Sequence, residues 1–248
     1  MKKLFINIAK SIFGSAYPYV EKRYRFLIKK FKGGGYYAIN ELDKKLEKYV
    51  NYDDGFFVEL GANDGVAQSN SLYFEQQRGW KGVLVEPSPY NFIQCKLNRS
   101  PKNFIFCNAC VDFNYKEKYV DIQYANLMTI SKSLDLDLSD SSEHIDIAKK
   151  HLKNYEEVFE FGTIAKTLTE VLIDSNAPTL IDFLSLDVEG AELSVLQGID
   201  FKKFNFKYML IEIRDFDKIS EFLNKLNYRF VEKFSIHDYL FEYRNVDN

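Results

Sequence analysis

The stretch Phe56-Phe57-Val58-Glu59-Leu60-Gly61-Ala62-Asn63-Asp64-Gly65 decides how the rest of the chain is read. Phe56, Phe57 and Val58 suit a strand buried on both faces of a parallel sheet. The run then breaks into a turn where Gly61 and Gly65 allow backbone angles, and a closeness of approach, that a side chain forbids. The spacing is G-x-x-x-G. A dinucleotide loop is G-x-G-x-x-G, with its middle glycine where the pyrophosphate comes close. The loop therefore argues against NAD and for a ligand without a phosphate bridge, S-adenosylmethionine being the candidate.

Outward from this strand the pattern alternates, the signature of an α/β, doubly wound sheet. Strands are predicted over Phe56–Leu60, Gly82–Val85, Phe104–Asn108, Ile181–Leu186 and Tyr208–Ile213. Helices are predicted over Glu41–Val50, Ser71–Arg78, Tyr90–Asn98, Ala191–Gln197 and Ile219–Leu226. Arg229–Phe234 and Tyr239–Tyr243 form a closing hairpin. Between Asp112 and Thr167 the chain is polar and irregular, and is read as an insertion, either a lid or substrate loop or a variable surface segment.

With 248 residues and 46% hydrophobic content, the chain can bury one sizeable core. The net charge of −3 gives no reason to expect a nucleic-acid partner. Charge is unevenly spread, however: residues 1–32 carry nine Lys or Arg against Glu21 alone. Leu4, Phe5, Ile8 and Ile12, then Val20, Tyr24, Leu27 and Phe31, repeat at helical spacing. Residues 1–35 thus read as a basic amphipathic helical extension, and 36–248 as the main domain with its insertion at 112–167. The extension packs on the domain or on a second subunit, or else lies on anionic lipid. The apolar run at the start is interrupted by Lys10 and reads as retained. No run is long enough to span a bilayer. Three cysteines (Cys95, Cys107, Cys110) build no disulfide framework and fit a reducing compartment, so the expected location is cytoplasmic, with peripheral contact at the inner membrane face as the variant. The Cys107/Cys110 pair lies at the end of a strand and lacks the further ligands of a structural zinc site.

Ligands of an open parallel sheet bind outside the carboxyl ends of its strands. Four strands carry an acid at or near that end: Glu59, Glu86, Asp187 and Glu212. Glu86 follows Gly65 by 21 residues, the offset at which an acid meets a ribose diol in nucleotide-binding βαβ units.

Together FFVELGANDGVAQSNS, GVLVEPSP, NACV, LIDFLSLDVEGAELSVLQGID and LIEI resemble the FkbM type of class I S-adenosylmethionine-dependent methyltransferases, from about Tyr37 to Tyr243. The resemblance implies a Rossmann-like, mostly parallel seven-stranded sheet with an antiparallel last strand. It implies that Glu59, Gly61, Asn63 and Gly65 wrap the methionine part of the cofactor. Ser69 and Asn70 would hold its carboxylate beside free N–H groups at a helix start. Glu86 with Pro87 would take the ribose, and Asn108 with Ala109 the adenine, Asn108 standing where such enzymes often have an acid. Asp187 would border both cofactor and acceptor.

Methyl transfer from a sulfonium needs alignment first and a base second. Candidates for the catalytic work are Asp187, Glu189 and His237; Glu192 would bind the acceptor or cap the following helix. Glu212 and Asp238 also lie close by in this reading. Asp187, Glu212 and His237 could instead hold one divalent metal ion. Sugars and polyketide-type hydroxyls are the acceptors the resemblance makes commonest, so the leading expectation is an O-methyltransferase for a sugar, nucleotide sugar or glycan. The richness in Lys, Asn, Ile, Phe and Tyr fits an AT-rich bacterial genome and a surface-polysaccharide pathway. Transfer to nitrogen or a carboxylate, a non-catalytic cofactor-binding or membrane-docking module, and a dehydrogenase are the alternatives. A homo-oligomer is a further open expectation.

Overall fold

The structure, a computed structural model, describes residues 11–14, 20, 35–137, 141–150, 152 and 156–244. The helical extension expected over the first 35 residues falls almost wholly outside these. By its contacts the chain divides into two units, residues 1–36 and 37–248. The second carries both sheets.

Its elements in chain order are α1 (Leu42–Leu46), β1 (Phe56–Leu60), α2 (Leu72–Gln77), β2 (Lys81–Val85), α3 (Pro89–Asn98), β3 (Phe104–Phe106), β4 (Ala109–Val111), β5 (Tyr119–Tyr124) and β6 (Ile130–Ser131). After these come α4 (Ser141–Lys149), β7 (Phe159–Thr167), α5 (Leu168–Asp174), β8 (Leu180–Leu186), α6 (Glu192–Gln197), β9 (Asn205–Glu212), α7 (Phe216–Asn224), β10 (Tyr228–Lys233) and β11 (Asp238–Tyr243). The main sheet has seven strands in the order β10-β11-β9-β8-β1-β2-β3. β1, β2, β3, β8 and β9 are mutually parallel, and β11 runs antiparallel to both its neighbours. Strand order reverses between β1 and β8, which makes their carboxyl ends the switch point of a doubly wound, Rossmann-like sheet.

All five residues of β1 are buried, as a central parallel strand requires. The pleat sends Phe56, Val58 and Leu60 to one face, where they join Leu168, Val171 and Leu172 of α5, Val195 and Leu196 of α6 and Ile219 and Leu223 of α7. Phe57 goes to the other, with Phe183 of β8, Leu42 and Leu46 of α1, Phe74 of α2 and Trp80. Glu59 shares the parity of Phe57 and so points beneath α2 and α3.

The structure departs from the sequence reading in two places. The third strand does not continue to Asn108: it stops at Phe106, and after a two-residue break β4 leaves the main sheet to pair with β7. Nor is the insertion irregular. It carries most of a second, four-stranded sheet, β4-β7-β5-β6, together with α4. Val120, Ile122 and Tyr124 alternate inward along β5, and α5 opens with a capping box between Thr167 and Glu170.

Candidate active site

A cavity of about 1120 Å³ opens over the carboxyl ends of β1, β2, β8 and β9. One small ligand typically takes about 300–1,000 Å³, so this space exceeds what a cofactor alone needs.

On the β1–β2 side, Gly61 has φ 76°, and a Cβ on it would stand 1.9 Å from the Asp187 carbonyl oxygen. Only glycine lets this loop pack against the end of β8. The N–H of Asn63 donates to Glu86 Oε2 at 2.8 Å and that of Ser88 to Oε1 at 2.9 Å. Each carboxylate oxygen therefore keeps a lone pair for a further donor, the arrangement a ribose diol needs. Burial pushes the Glu86 carboxyl up to about 7, against the pull of those N–H groups. Pro87, Asn108 and Ala109 line the same wall. The Asn108 amide Nδ2 donates to the Ile164 carbonyl at 3.0 Å, so it ties β7 to the link between β3 and β4 and leaves its oxygen and its second N–H for a ligand.

Glu59 also lines the cavity, but its carboxylate is filled from within the protein. It accepts from Ser69 Oγ (2.9 Å), Asn70 N (2.9 Å), Ser71 Oγ and Arg99 Nη1 (3.2 Å). The Asn70 N–H, expected free for a carboxylate, is thus already used. Asn70 instead offers an acceptor: its Nδ2 donates to Ser185 Oγ at 2.9 Å, while its buried Oδ1 has no partner among the described residues. That oxygen suits an ammonium group. Gly65 differs from expectation as well. It does not line the cavity; its φ is 77°, and a Cβ there would lie 2.7 Å from Arg99 Cγ and 2.9 Å from Cys95 Sγ. Its glycine makes room for the buried arginine, not for a ligand.

On the β8–β9 side, ligand atoms of Asp187, Glu189 and Glu212 lie within 4.8 Å of one another. Asp187 is crowded by the surrounding protein, yet its side chain is solvent-exposed through the open cavity. Glu189 has φ 54°, and Glu192 holds this turn by accepting from the N–H groups of Val188 (3.0 Å) and Gly190 (3.1 Å). Glu192 therefore braces the turn that leads into α6. Burial first, then Glu212 and Glu189, raises the Asp187 carboxyl well above the usual aspartate range. Burial and then Glu212 push Glu189 up to about 8, against Arg214, which lies 3.0 Å away. Asp187 and Glu189 are thus both pushed toward the protonated form by the neighbouring carboxylates, and the two are best treated as a coupled pair.

His237 reaches the cavity from the residue before β11, whose first residue Asp238 pairs in register with Glu212. Its ring is exposed, and its backbone is bonded to Ser235 Oγ and Ile213 N. The cluster of possible metal ligands takes Glu189 in the place expected of His237. The opposite wall comes from Asn126–Ser131 of the insertion, and Lys45 is the one lysine or arginine among the described lining residues. Neither feature has a local signature, because both are long-range contacts.

The sequence matches the methyltransferase FkbM domain over residues 59–230. A search of curated proteins finds no match. Among solved structures, the chain is similar to TrmK of M. capricolum in complex with S-adenosyl-homocysteine, with 9% identity and TM-score 0.40, covering 81% of this chain and 65% of that one. The chain thus spans just under two thirds of TrmK. It is also similar to a putative RNA methyltransferase from Pyrococcus horikoshii (10%, TM-score 0.40, 84% and 82% covered) and to human methyltransferase 10 domain containing protein (10%, TM-score 0.44, 82% and 81% covered). The domain match takes in the loop after β1, all four acidic strand ends and well over half of the sequence. The chain belongs to the FkbM methyltransferase family.

Proposed function

We propose that the chain transfers a methyl group from S-adenosylmethionine to a hydroxyl of a sugar, nucleotide sugar or glycan. The observation that carries this reading is the cluster of carboxylates Asp187, Glu189 and Glu212 at the edge of a cavity larger than one ligand. S-adenosylmethionine, when bound, supplies a methyl carbon activated by its sulfonium. Glu86 would accept from the ribose hydroxyls and Asn70 Oδ1 from the ammonium, fixing the donor along the β1–β2 wall. A hydroxyl is a weak nucleophile at neutral pH, and a carboxylate raised toward neutrality is a better matched base than an ordinary one. An ionised member of the acid group would take the proton that the acceptor hydroxyl gives up on methylation. His237, at the rim, would orient the acceptor.

A second reading comes from the same acids. Three carboxylate oxygens suit a hard divalent cation, with Arg214 competing for two of them. Incubation with labelled cofactor and a panel of free and nucleotide-linked sugars, followed by locating the label, tests the function. Label on a hydroxyl supports it, and label only on nitrogen or a carboxylate overturns it. Failure of S-adenosylmethionine to bind at millimolar concentration would favour a non-catalytic module. Full activity after chelation would remove the metal.

A further inference from the structure

The cavity wall contributed by the insertion is fastened at both ends. At one, Asn63 Nδ2 of the β1 loop donates to Asn126 Oδ1 at 3.4 Å. At the other stands His144, on α4, which does not line the cavity but sits behind it, 7% exposed. Its Nε2 lies 3.2 Å from the Met128 carbonyl oxygen and 3.5 Å from Glu189 Oε2. Both oxygens face the same nitrogen, so an Nε2–H would donate to the Met128 carbonyl of the wall with the Glu189 carboxylate at the outer edge of its reach. The apolar part of this contact is complete without it: Ile145 and Ala148 of α4 pack against Ala125 and Ile130. The imidazole therefore adds a polar link that packing does not require. It joins the wall to Glu189, a residue held in left-handed backbone geometry at the acidic end of the site.

We propose that His144 is a positioning residue that latches the Asn126–Ser131 wall to Glu189, so that the insertion sets the orientation of the acid facing the acceptor. The assignment of an acceptor to Glu189 rests on the function proposed above; the latch itself does not. Loss of the latch frees the wall to move while the cofactor half of the site, built on Glu86 and Asn63, stays intact.

The test is native-state hydrogen exchange of the amides in 126–131, run at one pH on the full chain. The variants are His144→Leu, Glu189→Ala, their combination and His144→Gln, with calorimetry of S-adenosylhomocysteine alongside. Each single variant is expected to speed exchange of this segment about tenfold. The double variant should be no faster than the faster single one, because the two share one interaction. His144→Gln, with an amide nitrogen near the position of Nε2, should restore the slow rate, which a purely space-filling role would not predict. Affinity for S-adenosylhomocysteine should stay within about twofold of wild type in His144→Leu, an additive change of about 0.4 kcal/mol or less by the tenfold-per-1.4 kcal/mol rule. Additive effects in the double variant, or no rescue by glutamine, would overturn the latch. Should His144→Leu fail to fold, Glu189→Ala against His144→Gln decides. Absence of S-adenosylhomocysteine binding in wild type would count against the proposed function and leave the exchange result to judge the latch.

Discussion

At the scale of single residues, Glu86 shows how a group can be committed to the fold and still be available to a ligand. Two backbone N–H groups hold its carboxylate in place, yet the residue lines the cavity, where its oxygens can accept from further donors. Donation by two further hydroxyls would favour the ionised form. Affinity for S-adenosylmethionine is therefore expected to rise as pH increases through about 7 and to level off above it. Glu86→Ala should weaken binding by about 1.5–3 kcal/mol, the worth of hydrogen bonds to a charged acceptor. Free adenosine, which carries the same diol, should lose affinity in parallel in a competition assay. An unchanged dissociation constant would show that the diol lies elsewhere.

At the scale of elements, the loop between β1 and α2 is organised from below by a buried ion that does not line the cavity. Arg99, at the end of α3, is fully buried, with Nε 2.7 Å from Glu75 and Nη1 3.2 Å from Glu59. It also donates to Gly65 O, Ser69 Oγ and Ser71 Oγ, so one guanidinium spans the whole loop. Arg99→Met would strand two buried carboxylates, and the expected loss is about 3–5 kcal/mol in urea unfolding. A loss below about 1 kcal/mol would mean that the serines alone neutralise the site. This network also marks how far the sequence can be read. Strands β1, β2, β8 and β9 are legible because strands buried on both faces appear as apolar runs, and the acids at their ends are legible because the topology places ligands there. Asp187, Glu189, Glu212 and Glu86 can thus be singled out without coordinates. The role of Gly65 is not legible, since the side chains it accommodates lie about thirty residues away in sequence. The insertion fails for another reason. Its alternation in Tyr119–Tyr124 and its Thr167–Glu170 cap are local signals, but they are embedded in a polar stretch whose strands find partners only at long range.

At the scale of the whole molecule, the site is a concentration of acids that the rest of the fold must stabilise. Glu86 and Glu192 are pushed up to about 7 and Glu189 to about 8, while the same groups in the unfolded chain titrate near 4.5. Between these limits the native state binds more protons than the unfolded one, so stability falls as pH rises through the window from about 4.5 to about 8. The contribution is fully present below the lower value and lost above the upper. The ligand-free protein is therefore expected to melt highest on the acid side of neutrality. Glu189→Gln removes one charge from the group while keeping an acceptor for Arg214 and His144. It should melt like wild type at pH 5 and gain on the order of 2 kcal/mol at pH 9, or about 4–8 °C for a chain of this size. Equal melting shifts at both pH values would show that Glu189 is ionised at no extra cost. The gain, where present, measures the stability that the fold gives up to hold a raised carboxylate at the mouth of its cavity, and such a cost is expected where activity needs a strained site.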